Sequence, residues 1–217
     1  MIKLCIFDFD GTLVDSITDV GLCFNTVLEK NNFPTLSLEE YKTVVGGNLE
    51  VVVSKILGPL HNSKENIEKI MEDYEKYYIS VDKVNTKPYY GVFEMLVTLQ
   101  NKNILLAINS NKKTKLLLDL VNKYFSNINF IDITGFSSVE LSKPNPFNVL
   151  NTIEKANVNK NEVLYIGDTR TDILTAKNAG IDCVLVNWGQ GKENDFNDEN
   201  VCKVISKPSD LYELLGD

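Results

Sequence analysis

The sequence predicts an α/β fold: a doubly wound, mostly parallel sheet with an all-helical insert behind its first strand. Three observations predict it. The apolar runs at residues 2–9, 104–108, 163–166 and 183–186 are short and lack clean alternation, as strands buried on both faces do. Beyond Pro88 such runs alternate with stretches of helical spacing, the mark of βαβ units and a parallel sheet. Residues 16–80, in contrast, read as helices only.

Each element follows from local chemistry. The first strand starts almost at the N-terminus and meets Gly11, a breaker. It meets Asp8 too early for a signal peptide. Ser16-Ile17-Thr18-Asp19 has the form of a capping box and opens a helix that ends by Asn31-Asn32 and Pro34. Ser37-Leu38-Glu39-Glu40 is a second capping box, and helical stretches follow at 49–57 and 64–79. After Pro88 come helices at 91–99, 114–124, 146–156 and 171–179, interleaved with strands at 104–108, 130–134, 163–166 and 183–186. A strand near Val204 and a helix near Leu211 close the chain. The expected division is a core of residues 1–14 and 87–217 and a helical insert of residues 15–86.

Composition narrows the function. The chain has 217 residues, 43% apolar and 24% charged, ordinary for a globular protein. A net charge of -8, with one arginine (Arg170) among 22 basic residues, argues against nucleic acid, whose binding rests on cationic contacts to phosphate. No apolar run reaches the roughly 20 residues of a membrane span. Cys5, Cys23, Cys183 and Cys202 show no CxxC spacing, and Cys5 and Cys183 sit inside apolar runs as small core residues. A reducing cytoplasm suits this usage.

In a doubly wound sheet, ligands bind beyond the carboxyl ends of the strands. The first strand ends in Asp8-Phe9-Asp10-Gly11-Thr12 and the second in Asn109-Ser110-Asn111. The fourth ends in Gly167-Asp168-Thr169-Arg170-Thr171-Asp172, and Lys143 lies in a Pro-rich loop just before a helix. Four carboxylates, a hydroxyl and an ammonium should converge on one edge. Carboxylates crowded together need a cation, and oxygen ligands without His or Cys suit Mg²⁺. Asp8 and Asp10, two apart, can point the same way from an extended segment. One can attack phosphorus while the other handles protons. Ser110 and Lys143 can hold phosphoryl oxygens.

Plainer readings stand beside these. Asp10-Gly11 is also a common turn pair. Asp168 and Asp172 could serve the start of the next helix, and Ser110-Asn111 could be an N-cap. Lys143 could be a solvated loop lysine. Thr12 is either a turn hydroxyl or a support for Asp10. Gly46-Gly47 is either a helix–helix turn or, with Asn48, a loop facing substrate. Arg170 reads as an exposed helix start and His61 as a surface residue. Trp188-Gly189-Gln190-Gly191 reads as a loop near the site mouth, with no role assigned.

The ordered set resembles the haloacid dehalogenase-like superfamily over the whole chain. Asp8-Phe9-Asp10-Gly11-Thr12-Leu13-Val14-Asp15-Ser16 is similar to its first motif and Ser110 to its second. Lys143-Pro144-Asn145-Pro146 is similar to the third, and Gly167-Asp168-Thr169-Arg170-Thr171-Asp172 to the fourth. The resemblance implies Asp8 as nucleophile and Mg²⁺ ligand, and Asp10 as general acid and base whose carbonyl also binds the metal. It implies Asp168 as third ligand, Ser110 with neighbouring Asn111 and Lys143 as the phosphate site, and Asp172 as a support acting through Lys143 or water. The insert resembles a cap that closes over the site and sets substrate choice. Val45-Gly46-Gly47-Asn48 and Gly11 to Ser16 are most similar to the phosphoglycolate phosphatase-like group, which implies a small phosphorylated metabolite as substrate. Asn109, Tyr90 and Phe147 depart from the family pattern without touching this chemistry. Two other readings stay open. A phosphoglucomutase-like enzyme would carry a histidine early in the first insert helix, and residues 16–30 have none. A silent phospho-ligand sensor would need no turnover. A dehalogenase would lack Asp10.

Overall fold

Strand β1 (Leu4–Phe7) is wholly buried, and its side chains alternate between two apolar clusters, Cys5 and Phe7 in one, Leu4 and Ile6 in the other. Both faces of the sheet are covered, so the run shows no polar alternation. The structure, a computed structural model, describes residues 1–216. The chain continues through β2 (Val14–Asp15), α1 (Ile17–Lys30), α2 (Leu38–Val44), α3 (Leu49–His61), α4 (Lys64–Ser80) and β3 (Lys87–Pro88). It then alternates through α5 (Val92–Asn101), β4 (Leu105–Lys113), α6 (Thr114–Phe125), β5 (Phe130–Phe136), α7 (Phe147–Ala156), β6 (Val163–Gly167), α8 (Arg170–Ala179), β7 (Asp182–Val186), α9 (Glu193–Phe196) and β8 (Val201–Ile205).

Six strands form one sheet in the order β5-β4-β1-β6-β7-β8, every pairing parallel. Leu4 of β1 pairs with Leu105 on one side and Val163 on the other. The connections run to one side of β1 through β4 and β5, then to the other through β6, so a crevice opens at the carboxyl end of β1. One face buries Leu96, Leu99, Leu117 and Phe125 of α5 and α6; the other buries Val149, Ile153, Ile173 and Ala176 of α7 and α8. Each of the Leu, Val, Ile and Phe side chains among these contributes about 1.5–3 kcal/mol on burial.

Helices α1 to α4 enclose a third cluster of their own, in which the Phe24 ring stacks on Tyr74 with centroids 3.8 Å apart. The chain enters and leaves this helical unit through a two-stranded stem, Val14 opposite Pro88 and Asp15 opposite Lys87. The predicted elements recur, with β2, β3 and α9 as additions and β5 extended to Phe136; the other differences bear on local chemistry. The capping box at Ser16 does not form: Ser16 makes no side-chain cap. Asp19 instead accepts from Asn85 and Thr86 of the returning segment, at 2.7 Å from the Thr86 amide. A 66-residue loop closure outcompetes the local cap because Asp19 is buried there. Helix α3 runs past Leu57 to His61 across a kink at Gly58. The second strand of the sheet order extends to Lys113, so Ser110 and Asn111 lie within β4 and Lys113 precedes α6. The closing helix near Leu211 is a 3-10 turn, Pro208–Leu214.

Candidate active site

Asp8 follows β1 directly, and its amide still bonds to the Ile166 carbonyl at 2.8 Å. The sheet ladder therefore fixes the backbone that carries it. Its carboxylate is 2.6 Å from Lys143 Nζ, and the same ammonium is 2.7 Å from Asp172 Oδ1. All three are buried. Lys143 is tied to β4 through its backbone, since its amide donates to Asn111 Oδ1 at 2.8 Å and its carbonyl accepts from Asn111 Nδ2 at 3.2 Å. Both ends of the Asn111 amide are thus occupied by the lysine it positions.

Asp172 combines the plain and the functional reading. One oxygen accepts from the backbone of Asp168 and Thr169, as an acid in the first turn of α8 should, while the other holds Lys143. Tyr165 from β6 backs this pair, its hydroxyl 3.1 Å from Asn109 Oδ1 and 3.4 Å from Asp172 Oδ1. The unusual Asn109 thereby has a polar partner in the core. Gly167 leaves room for it all, since a Cβ there would meet Asp172 Cβ at 2.3 Å.

Asp168 faces Asp8 across the crevice. One carboxylate oxygen from each of Asp8, Asp168 and Asp172 lies within 4.8 Å of the others, all buried. Burial pushes the Asp8 carboxyl up to about 7; Lys143 pulls the other way, and Asp172 adds to the rise. Burial, then Asp172 and Asp8, hold Asp168 well above the ordinary carboxylate range. Lys143 is held well above the usual lysine range because Asp172 and Asp8 outweigh its own burial. One ammonium is too little charge for this cluster. Both oxygens of Asp172 are engaged, whereas Asp8 meets Lys143 through Oδ1 alone; in this all-oxygen, buried set Asp8 and Asp168 are fitting ligands for a hard divalent cation.

Of the two readings of Thr12, turn hydroxyl or support for Asp10, neither describes its side-chain contact: the hydroxyl lies 3.5 Å from Asp168 Oδ1. The Asp10 side chain stands apart from the three-carboxylate group, with Oδ1 2.5 Å from Ser16 Oγ and Oδ2 3.1 Å from Lys112 Nζ. Ser110 is buried at the crevice, its Oγ accepting from the Lys112 amide at 3.2 Å. Gly46 and Gly47 line the cavity between the sheet edge and the helical unit, which measures about 200 Å³. Asn48 caps α3 through the Val51 amide and reaches Ser142 at 3.4 Å. Arg170 starts α8 exposed and pairs with Asp198. His61 packs near Phe33, away from the cavity lining.

Sequence reasoning missed two features. The loop 188–191 holds the site: the Gln190 amide donates to Asp168 Oδ2 at 2.8 Å, and Trp188 Nε1 donates to the Thr12 carbonyl at 3.1 Å. Its glycines were the available signal, because a Cβ on Gly189 would meet Asp168 Oδ2 at 2.4 Å. Lys112 was the other, a lysine two residues beyond Ser110 at a strand end.

The profile of the haloacid dehalogenase-like hydrolase family matches residues 5–186. The chain belongs to that family. A phosphoglycolate phosphatase from Aquifex aeolicus is 33% identical across 98% of this chain and 96% of its own length. Among solved structures, a Bacteroides fragilis protein classed with these hydrolases is 28% identical, with a TM-score of 0.89 over 97% of this chain and all of its own. A Lactobacillus delbrueckii subsp. bulgaricus protein shares the fold at 24% identity, with a TM-score of 0.91 over 98% of each chain. As a family member the chain is a phosphoric monoester hydrolase. No helix among the described residues is long and apolar enough to cross a membrane.

Proposed function

We propose that the chain hydrolyses a small phosphate monoester through a phosphorylated Asp8, with phosphoglycolate as the lead substrate. The observation that carries this is the contact of buried Asp8 with Lys143 inside the Asp8–Asp168–Asp172 group. Asp8 attacks phosphorus and becomes an aspartyl-phosphate. The departing alkoxide takes a proton from Asp10; Asp10 then removes a proton from the water that attacks the aspartyl-phosphate and frees inorganic phosphate. Ser110 and Lys143 hold phosphoryl oxygens, and Asn111 and Asp172 hold Lys143. Asp8, Asp168 and the Asp10 carbonyl would hold Mg²⁺, which when bound supplies positive charge against the phosphoryl oxygens.

Residues 15–86 act as a cap over the core formed by 1–14 and 87–217. The stem between β2 and β3 supports that division, and Gly46, Gly47 and Asn48 are its substrate-facing loop. A cavity of about 200 Å³ holds roughly seven waters' worth of space. That favours a small metabolite over a macromolecule. The four unpaired thiols support a cytoplasmic setting.

The test is phosphate release from a panel of phosphomonoesters, with Mg²⁺ and with chelator, for wild type and Asp8→Asn. Release should need both the ion and Asp8. An Asp8→Asn protein as fast as wild type would sink the mechanism.

A further inference from the structure

We propose that Lys112 is the positioning residue of Asp10: it holds the carboxylate that handles protons and acts on the reaction only through it. This rests on the reading of Asp10 given above. The Lys112 ammonium is 3.1 Å from Asp10 Oδ2, while Ser16 Oγ donates to Asp10 Oδ1 at 2.5 Å. The carboxylate is held from two sides, by the sheet through β4 and by the helical unit through the start of α1.

Lys112 can position another group only because its own freedom is removed. A free lysine side chain would lose about 2 kcal/mol of rotamer entropy on being fixed. Here the side chain is 9% exposed, its ammonium lying 3.4 Å from the Tyr78 hydroxyl and 5.0 Å from the centre of the Tyr78 ring. The ring face attracts the cation. Tyr78 is itself 1% exposed on α4, so the wall behind the lysine is rigid. Lys113, next in sequence, also reaches α4, pairing with Glu75 at 2.5 Å. Lys143 already places a cation beside Asp8. Lys112 thus has a different client, Asp10, with Tyr78 behind it.

A double-mutant cycle tests this, using the full chain with Mg²⁺ and phosphoglycolate or the best ester of the panel. Lys112→Met should lower kcat by about 10- to 100-fold, as a misplaced catalytic group does, and move KM by less than about twofold. In an Asp10→Asn background the same change should cost nothing further, because the two act as one unit. An equal loss in both backgrounds, a rise in KM alone, or no loss at all would overturn the proposal. Tyr78→Phe, a milder change, should show a smaller kcat loss with the same dependence on Asp10 should Lys112→Met not fold. A crystal structure of Lys112→Met gives a readout besides turnover: Asp10 should leave its place against Ser16, and an unmoved carboxylate would refute the holding role. Failure of the underlying reading looks different, since wild type would then release no phosphate from any ester while the crystallographic result still stands.

Discussion

Gly11 shows how tightly single residues govern the site. Its φ of +84° is left-handed, and a Cβ there would meet Asp168 Oδ2 at 2.1 Å. The first reason alone would make it a turn glycine; the second makes it part of the wall against Asp168, a proposed Mg²⁺ ligand. Gly11→Ala should therefore weaken Mg²⁺ binding by about 10- to 100-fold, as loss of support around ligands does. Isothermal titration would read this, with far-UV circular dichroism showing an unchanged fold. Wild-type affinity in that variant would mean that the loop 188–191 gives way and Asp168 is not fixed by packing. The Asp8–Lys143–Asp172 chain works by the same logic at the level of charge: each group is buried, and each is held by a partner on a different strand or loop.

At the scale of elements, α1 matters more for where it points than for its own stability. Asp19 abandons the local cap and takes four donors from Asn85 and Thr86. It thereby binds the start of the helical unit to its return, one helical turn from the Ser16 that touches Asp10. Asp19→Ala leaves the buried Thr86 amide and hydroxyl without this acceptor. The expected loss is about 3 kcal/mol, the size of a charged hydrogen-bond set left unmade. Urea unfolding measures it, and a midpoint equal to wild type would show that the stem of β2 and β3 suffices to close the unit.

For the whole molecule, the sheet decides which thiols meet solvent. Cys5 and Cys183 lie inside the sheet and Cys23 within the helical unit, all buried; Cys202 is exposed. Burial pushes the Cys5 thiol up to about 12, so it stays protonated and unreactive at neutral pH. Partial burial, with Asp182 adding, raises Cys202 as well. A disulfide reagent should label one thiol in the native protein, faster as pH rises, and the other three only on unfolding. Labelling of a second thiol in the native state would show that a sheet layer or the helical unit opens.

The sequence by itself determined the wound order of strands and helices, because an apolar run covered on both faces looks different from an amphipathic one. It also determined that Asp8 and Asp168 follow strands of one sheet, with Ser110 near the end of another and Lys143 in a loop before a helix, since such positions share an edge once the sheet is parallel. The structure alone decided which partner each polar group chose. Ser16 turns to Asp10 rather than to its own helix, Asp19 to Thr86, Thr12 to Asp168, and Lys112 to Asp10 against Tyr78. Motif spacing reports local geometry, whereas these pairings join residues up to 156 positions apart. They are set by burial, where an unpaired polar group costs most, and burial exists only once the layers have packed.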